Sequence, residues 1–316
     1  MISPSVFNLS EPFRGIVPPM VSPLLDSNTV DKEGLERLVE HLIRGGVHGI
    51  FVLGTTGEGA SLSASLRREL ISLTARQVKG RLPVFVGISD SSIEESRAMA
   101  AFAAESGADA IVATPPFYFG IGQEEIADYF MALADDVALP LFLYNIPSVA
   151  KTGIAPETVK RLSSHPKIIG LKDSSGNAVY LNTVLYLMQG EAAFSLLVGP
   201  EEMLATAVLS GAHGGVNGGA NIFPRLYVSL YNACIEKDFH QIGILRQKVM
   251  EVSEKIYGID DSAGAYLKGL KASLSLLGIC NDFLAPPFRR FGEVERSLVK
   301  ENLEGLSAME YINAGE

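Results

Sequence analysis

The chain has 316 residues, of which 47% are hydrophobic and 20% charged, the composition of an ordinary globular protein. Its net charge is −10 and no basic run stands out, so the composition argues against nucleic acid as a partner. Two cysteines are too few for a disulfide framework, and no run of about 18 apolar residues predicts a transmembrane helix. The sequence also shows no signal-peptide pattern, so we expect a cytoplasmic protein.

Short apolar runs recur along the chain up to Val216. Runs of this length that do not alternate with polar residues indicate strands covered on both faces, as in a parallel sheet. The predicted strands are Gly15–Val21, Gly49–Leu53, Val84–Ile88, Ala110–Ala113, Leu141–Tyr144, Ile168–Leu171, Ser195–Val198 and Gly214–Val216.

Segments with the helical spacing of apolar residues lie between these strands. Asp31 precedes the first of them and Pro156 opens another, and both are typical starts of a helix. Gly107 marks a helix end. The predicted helices include Lys32–Arg44, Ala64–Val78, Ile93–Glu105, Glu124–Val137 and Pro156–Ser164.

The alternation of strands and helices favours an α/β fold, a (β/α)8 TIM barrel over residues 1–237. An open doubly wound sheet is the alternative, although no strand–GxGxxG–helix pattern occurs near the start. After Lys237 the strand signal stops, and we expect a C-terminal three-helix appendage over residues 238–316. Its predicted helices are His240–Ile256, Ser262–Leu277 and Val294–Met309.

Active sites of such barrels lie at the C-terminal ends of the strands. The second predicted strand is followed by Gly54–Glu58, in which the hydroxyls of Thr55 and Thr56 and backbone amides of the glycine-rich segment could bind a carboxylate. Alternatively, the threonines cap the next helix from a glycine-rich turn.

Two tyrosines lie at the ends of the fourth and fifth predicted strands. Tyr118 lies in an aromatic segment after the fourth strand, where a rigid loop at a subunit interface is the alternative to catalysis. Tyr144 ends the fifth strand, where its hydroxyl could carry protons or could simply bind the backbone.

Lys172 is the strongest single candidate for a catalytic residue, because it follows the apolar end of the sixth strand. Burial disfavours the ammonium form and so favours the neutral amine, which can attack a ketone. Alternatively, Lys172 pairs with Asp173 or reaches solvent at the strand end.

The seventh and eighth strands end in further polar candidates. Gly199 precedes Glu201 and Glu202, which could bind substrate or simply interact with a helix dipole. Val216 and Asn217 follow at the eighth strand. The histidines show neither HxxxH nor HExxH spacing, so we predict no metal site.

Taken together, the motifs resemble the dihydrodipicolinate synthase/N-acetylneuraminate lyase family of class I, pyruvate-dependent enzymes. The resemblance rests on Gly54–Glu58, on Tyr144 to Pro147 and on Gly170 to Lys172, in the family's order and spacing, and it covers most of the chain.

The resemblance implies a role for each matched residue. Lys172 would form an imine with a 2-oxo acid, so that no cofactor is needed, and Tyr144 would relay protons. Thr55 would link Tyr144 to Tyr118 of a neighbouring subunit, so that the active unit is at least a dimer, and the resemblance implies a homotetramer. Thr56 and Gly57 would hold the substrate carboxylate.

One position departs from the family pattern. Synthases carry an arginine two residues after the proline of the tyrosine motif, where it binds the aldehyde's carboxylate, and this chain has Val149 there. Valine cannot supply such a donor, although Lys151 lies nearby in the sequence. We therefore expect a lyase or aldolase that acts on a sugar-acid-like substrate.

Three alternatives stay open at this point. Two are enzymes of the same family, namely dihydrodipicolinate synthase itself and a dehydratase that uses the same imine. The third is a 2-oxo-acid-binding protein without catalysis, but binding alone does not require a proton relay.

Overall fold

A parallel sheet of eight strands forms the centre of the computed structural model, which describes residues 11–191, 193–307 and 310–313. In chain order the strands are β1 (Gly15–Ile16), β2 (Ile50–Val52), β3 (Val84–Gly87), β4 (Ala110–Ala113), β5 (Leu141–Asn145), β6 (Ile168–Asp173), β7 (Ser195–Val198) and β8 (Gly214–Gly215). Each matches a predicted strand. The first is shorter than predicted because Pro18 and Pro19 have no amide hydrogen for a strand ladder.

The order of the strands decides between the two predicted α/β architectures. Neighbours in the sheet run β1, β8, β7 and so on down to β2, without the reversal of a doubly wound sheet. The two edge strands also meet, because His48 N donates to Ile16 O (2.8 Å) and Phe51 N to Pro18 O (3.0 Å). The sheet is therefore curled, and the open doubly wound alternative is wrong.

The predicted helices between the strands are confirmed, with ends shifted by two residues or fewer. Asp31 caps the first of them by accepting a hydrogen bond from Gly34 N (2.9 Å). Up to β8 the helices are α1 (Lys32–Arg44), α2 (Ala64–Val78), α3 (Ile93–Glu105), α4 (Gln123–Asp136), α5 (Pro147–Ala150), α6 (Pro156–Leu162), α7 (Ala178–Leu187) and α8 (Leu204–Leu209).

Helices alone follow β8. They are α9 (Pro224–Glu236), α10 (Phe239–Val252), which continues as a π-helical turn (Ser253–Tyr257), α11 (Ala265–Leu276), α12 (Glu293–Glu304) and α13 (Glu310–Asn313). The helices predicted in this part correspond to α10, α11 and α12. The predicted end at Met309 lies outside the described residues. No described helix is long and apolar enough to cross a membrane.

The hydrophobic core is divided by the sheet. One cluster lies between the strands and the helices and includes the inner face of α1. The other lies inside the curl of the sheet and includes Phe51, Phe85, Phe142 and Tyr144. The inner cluster fills the space below the carboxyl ends of the strands, so that polar side chains at those ends pack against apolar side chains.

Candidate active site

Lys172 lies near the end of β6 with 4% of its surface exposed. It is the register partner of Tyr144 in β5, and its Nζ lies 3.9 Å from the centroid of the Tyr144 ring. Gly170 permits this packing of β5 on β6, because a Cβ there would lie 2.4 Å from the Phe142 ring. The amine therefore stands among aromatic rings at the carboxyl end of the sheet.

Asp173 is not the partner of Lys172. Its carboxylate accepts hydrogen bonds from Asn145 Nδ2 (2.9 Å) and from Ser175 N and Oγ (both 3.1 Å). Among the described residues no ion pair includes Lys172. Neighbouring strand residues point to opposite faces, which explains why the two side chains are separated. Neither alternative for Lys172, pairing with Asp173 or exposure to solvent, describes its position.

A cavity of about 290 Å³ opens beside Lys172. Its walls come from the ends of β1, β2, β5, β6, β7 and β8 and from the C-terminal helical part. It is lined by Pro19, Thr55, Thr56, Tyr144, Ile146, Lys172, Ser174, Gly199, Pro200, Glu201, Glu202, Val216, Tyr257 and Tyr266. The structure thus brings most of the predicted site residues into one cavity, and Gly57, Tyr118 and Asn217 do not line it.

Tyr144 lies between Lys172 and Thr55. Its hydroxyl and Thr55 Oγ1 are 3.2 Å apart and share a hydrogen bond. Burial raises the pKa of the Tyr144 phenol, but the positive charge of Lys172 and hydrogen bonds with Thr55, Lys172 and Ser174 outweigh burial, so that its pKa is below the ordinary value. A phenol with a lowered pKa next to an amine is suited to moving protons.

The two threonines of the turn after β2 differ in their exposure to solvent. Thr55 is exposed, whereas Thr56 is buried and its Oγ1 lies 3.1 Å from the hydroxyl of Tyr266 on α11. Gly57 is buried behind them, where its carbonyl accepts a hydrogen bond from Ser22 Oγ (2.6 Å). Only the two threonines therefore face the cavity.

Glu201 and Glu202 line the cavity, and each carboxylate also has protein partners. Glu201 accepts hydrogen bonds from Gly219 N (3.0 Å), from Tyr257 OH (2.8 Å) and from Tyr227 OH. Burial raises the pKa of the Glu201 carboxyl to about 7, although these donors act in the opposite direction. Glu202 accepts a hydrogen bond from Ser253 Oγ. The pair therefore connects the cavity to the C-terminal helices.

Asn217 occupies a different place from the one expected of a substrate-binding residue. It is fully buried, and its Nδ2 donates to the carbonyls of Gly199 (2.9 Å) and Val198 (3.4 Å). These hydrogen bonds connect the ends of β7 and β8 behind the cavity wall. The preceding residue, Val216, lines the cavity instead.

Tyr118 lies outside the cavity of its own chain, with 69% of its surface exposed. Its ring contacts that of Phe119, which is also exposed, with the two centroids 5.0 Å apart. Lys151 Nζ lies 5.8 Å from the centroid of the Tyr118 ring. Val149, on α5, is likewise exposed. These side chains therefore form an exposed apolar surface of the isolated chain.

Tyr257 and Tyr266 were not predicted from the sequence. Both belong to the C-terminal helical part, yet both line the cavity. Gly218 leaves room for one of them, because a Cβ there would lie 1.6 Å from the Tyr266 hydroxyl, but the sequence around the two tyrosines carried no local signal. Ser174, two residues after Lys172, also lines the cavity, and its place after a strand end was a signal for it.

No group of three or more His, Cys, Asp or Glu side chains that could hold a metal ion is present in the described part of the chain.

Comparison with known proteins identifies the family to which these features belong. The model of the Dihydrodipicolinate synthetase family matches residues 12–306. The probable 2-dehydro-3-deoxy-D-pentonate aldolase YjhH of Escherichia coli K12 is 31% identical over 91% of this chain and 95% of its own length.

Two solved structures are also similar to this chain. A dihydrodipicolinate synthase of Bacteroides thetaiotaomicron has a TM-score of 0.92 and 54% identity, and the match covers 94% of this chain and 99% of that one. YagE of E. coli K12, solved in complex with pyruvate, has a TM-score of 0.88 and 28% identity over 93% of this chain and 98% of that one. The similarity therefore extends over nearly the whole of each protein.

Proposed function

The chain belongs to the dihydrodipicolinate synthetase family, and we propose that it is a Schiff-base lyase that cleaves, or forms, a carbon–carbon bond between pyruvate and an aldehyde. Members of this family are pyruvate-dependent lyases and aldolases. The observation that carries the proposal is the buried amine of Lys172, which has no ion-pair partner in the described residues and lies beside the Tyr144 phenol in a cavity.

Imine formation follows from the chemistry of these two groups. Once its ammonium form has lost a proton, the amine of Lys172 adds to the C2 ketone of the 2-oxo acid. The ketone oxygen leaves as water, with one proton from the amine nitrogen and one from the Tyr144 phenol. This leaves an iminium on the enzyme and a phenolate at Tyr144.

Cleavage uses the iminium as an electron sink. The C3–C4 bonding electrons of a 4-hydroxy-2-oxo acid move into the iminium, which becomes an enamine. The C4 hydroxyl gives its proton to the Tyr144 phenolate, and C4 leaves as the aldehyde. Protonation of C3 and addition of water then release pyruvate and regenerate Lys172. The steps balance without a cofactor, and we propose none.

The remaining site residues receive supporting roles in this proposal. Thr56 would hold the carboxylate of the 2-oxo acid, whereas Gly57, which does not line the cavity, receives no role. Glu202 would accept a hydrogen bond from a substrate hydroxyl. Thr55 is exposed in the isolated chain, as a residue reached by a neighbour's Tyr118 would be. The exposed Tyr118 and Phe119 support an assembly that covers them, which we propose is a homotetramer.

For the substrate, we propose a 2-oxo sugar acid. Val149 cannot bind a second carboxylate, and the relative YjhH is named as an aldolase of a 2-dehydro-3-deoxy sugar acid. The name of the B. thetaiotaomicron protein favours a second candidate, 4-hydroxy-tetrahydrodipicolinate synthase, with pyruvate and aspartate semialdehyde as substrates. A dehydratase that uses the same imine is a third.

We also propose that the curled sheet is a closed (β/α)8 barrel over residues 1–237 with a C-terminal helical region over residues 238–316. The hydrogen bonds between the edge strands support closure. Free, buried Cys234 and Cys280 are compatible with a cytoplasmic location.

Turnover by matched variants tests the proposed function. Purified protein is assayed for release of pyruvate from 2-oxo-3-deoxy sugar acids and for condensation of pyruvate with aspartate semialdehyde. Lys172→Ala should abolish both reactions. Lys167→Ala removes a lysine at the opposite end of the same strand, immediately before β6, and should leave turnover unchanged. Lys167 Nζ donates hydrogen bonds to the carbonyls of Asp135 and Val137. Equal losses in both variants would reject the assignment of Lys172.

A further inference from the structure

A buried ion pair joins the C-terminal helical part to the turn that carries the two threonines. Glu58 ends the turn and Lys271 lies on α11, and neither side chain has any solvent exposure. Lys271 Nζ also donates to Phe283 O (2.6 Å), and the second oxygen of Glu58 accepts from Ala285 N (2.7 Å). Each charge is thus surrounded by protein groups rather than by water.

The same helix contacts the turn at a second point. Tyr266 of α11 shares a hydrogen bond with Thr56, two residues before Glu58. Glu58 itself adopts the left-handed conformation (φ 57°), and its amide donates to Thr55 O (3.0 Å). The backbone of Glu58 is thus held in an uncommon conformation, and its side chain is held by Lys271 of α11. The position of the threonines therefore depends on Glu58.

A buried ion pair is seldom a source of stability, because desolvation of two charges offsets most of their attraction, and apolar side chains of similar size often serve as well. Because two buried charges must keep a precise mutual geometry, the pair instead fixes one arrangement of the two segments that contain them. In this chain the arrangement that it fixes includes the backbone between Thr55 and Glu58.

We propose that Glu58 and Lys271 are positioning residues, which hold Thr56 at the distance and angle needed to bind the substrate carboxylate. The proposal rests on the proposed function, in which Thr56 contacts that carboxylate. It makes the C-terminal helical part a component of the pyruvate site rather than a separate appendage. Loss of the pair should weaken pyruvate binding through Thr56 and not through Lys172.

The test measures the pyruvate concentration at which borohydride trapping of the Lys172 imine reaches half of its maximum. Wild type is compared with Lys271→Met, Lys271→Arg, Thr56→Ala and the double variant Thr56→Ala/Lys271→Met. Lys268→Met is the matched control, because Lys268 lies on the same helix but pairs with Asp260 (2.9 Å). The charge-free double variant Glu58→Gln/Lys271→Met guards against unfolding by an unpaired buried charge. All values are taken at temperatures where near-ultraviolet circular dichroism shows native protein.

We expect Lys271→Met to raise the half-saturating pyruvate concentration between about 10- and 100-fold, as for a contact misplaced by about 1 Å, and Lys271→Arg to restore part of the loss. The Glu58→Gln/Lys271→Met variant should also bind pyruvate weakly, because its side chains no longer fix the turn. Lys271→Met should have little further effect in the Thr56→Ala background, whereas Lys268→Met should behave as wild type.

Two results would overturn the proposal. One is wild-type pyruvate affinity in either folded variant that lacks the ion pair. The other is a Lys271→Met effect that is undiminished in the Thr56→Ala background, which would show that the pair does not act through Thr56. If wild type itself forms no adduct at Lys172, the proposed function fails instead, so the two failures are distinguishable.

Discussion

Removal of the Tyr144 hydroxyl should separate catalysis from stability. Tyr144→Phe keeps the ring that packs beside Lys172 and deletes the hydrogen bonds of the hydroxyl with Thr55 (3.2 Å), Lys172 and Ser174. Because general acid–base catalysis contributes about 10²–10⁴-fold, kcat should fall by that factor, which corresponds to about 3–5 kcal/mol in the activation free energy. All three partners line the cavity, where water can replace the lost hydroxyl, so the free energy of unfolding should change by about 1 kcal/mol or less.

The assay compares kcat for cleavage and the urea midpoint of unfolding in the same preparations. Tyr129→Phe is the matched control, because it removes a partly buried phenol that contacts Ser96 Oγ (3.4 Å) away from the cavity. Its kcat should equal that of wild type. In wild type, the pH profile of kcat should also show an ionisation below the ordinary value for tyrosine, and Tyr144→Phe should lack it. A Tyr144→Phe variant that keeps more than about a tenth of the wild-type kcat would refute the proton relay.

Three further predictions concern pH, assembly and substrate. The pKa of Glu201 is raised from 4.5 to about 7 in the folded state, so the stability that its proton contributes is lost as the pH rises through that window. Glu201→Gln should remove about 3 kcal/mol of this pH dependence, measured as the free energy of unfolding in urea at pH 4.5 and 7.5. An unchanged dependence of stability on pH would contradict the assignment. Lys172→Ala and Tyr118→Ala should each be inactive alone, whereas randomly mixed subunits should regain about a quarter of the wild-type activity if Tyr118 serves its neighbour's site, and no recovery would contradict it. Val149→Arg should raise kcat/KM for aspartate semialdehyde roughly 10- to 150-fold, and an effect smaller than that would show that position 149 does not select the aldehyde.

The strands and the nucleophile could be predicted because their signals are local. A parallel strand is covered on both faces, so each one is a continuous apolar run, and these runs are easily counted. A lysine within such a run, as in Ile168–Asp173, is conspicuous for the same reason. The site at the strand ends then follows from the parallel arrangement, without knowledge of any side-chain contact.

The contacts from the C-terminal part could not be predicted in this way. Tyr266 meets Thr56, and Lys271 meets Glu58, across more than half of the chain. Nothing in the local pattern of α11 distinguishes these side chains from ordinary core residues. The same limit applies to Glu201, which the sequence places correctly at a strand end but whose partners, Tyr227 and Tyr257, lie on later helices.

Reductive trapping with peptide mapping tests the central claim most directly. The protein is incubated with pyruvate and borohydride, digested, and the modified peptide is identified by mass spectrometry. The account predicts one adduct per chain on Lys172, with the mass of pyruvate less one water plus two hydrogens, and no adduct in Lys172→Ala. An adduct on another lysine, or none on the native protein, would contradict it.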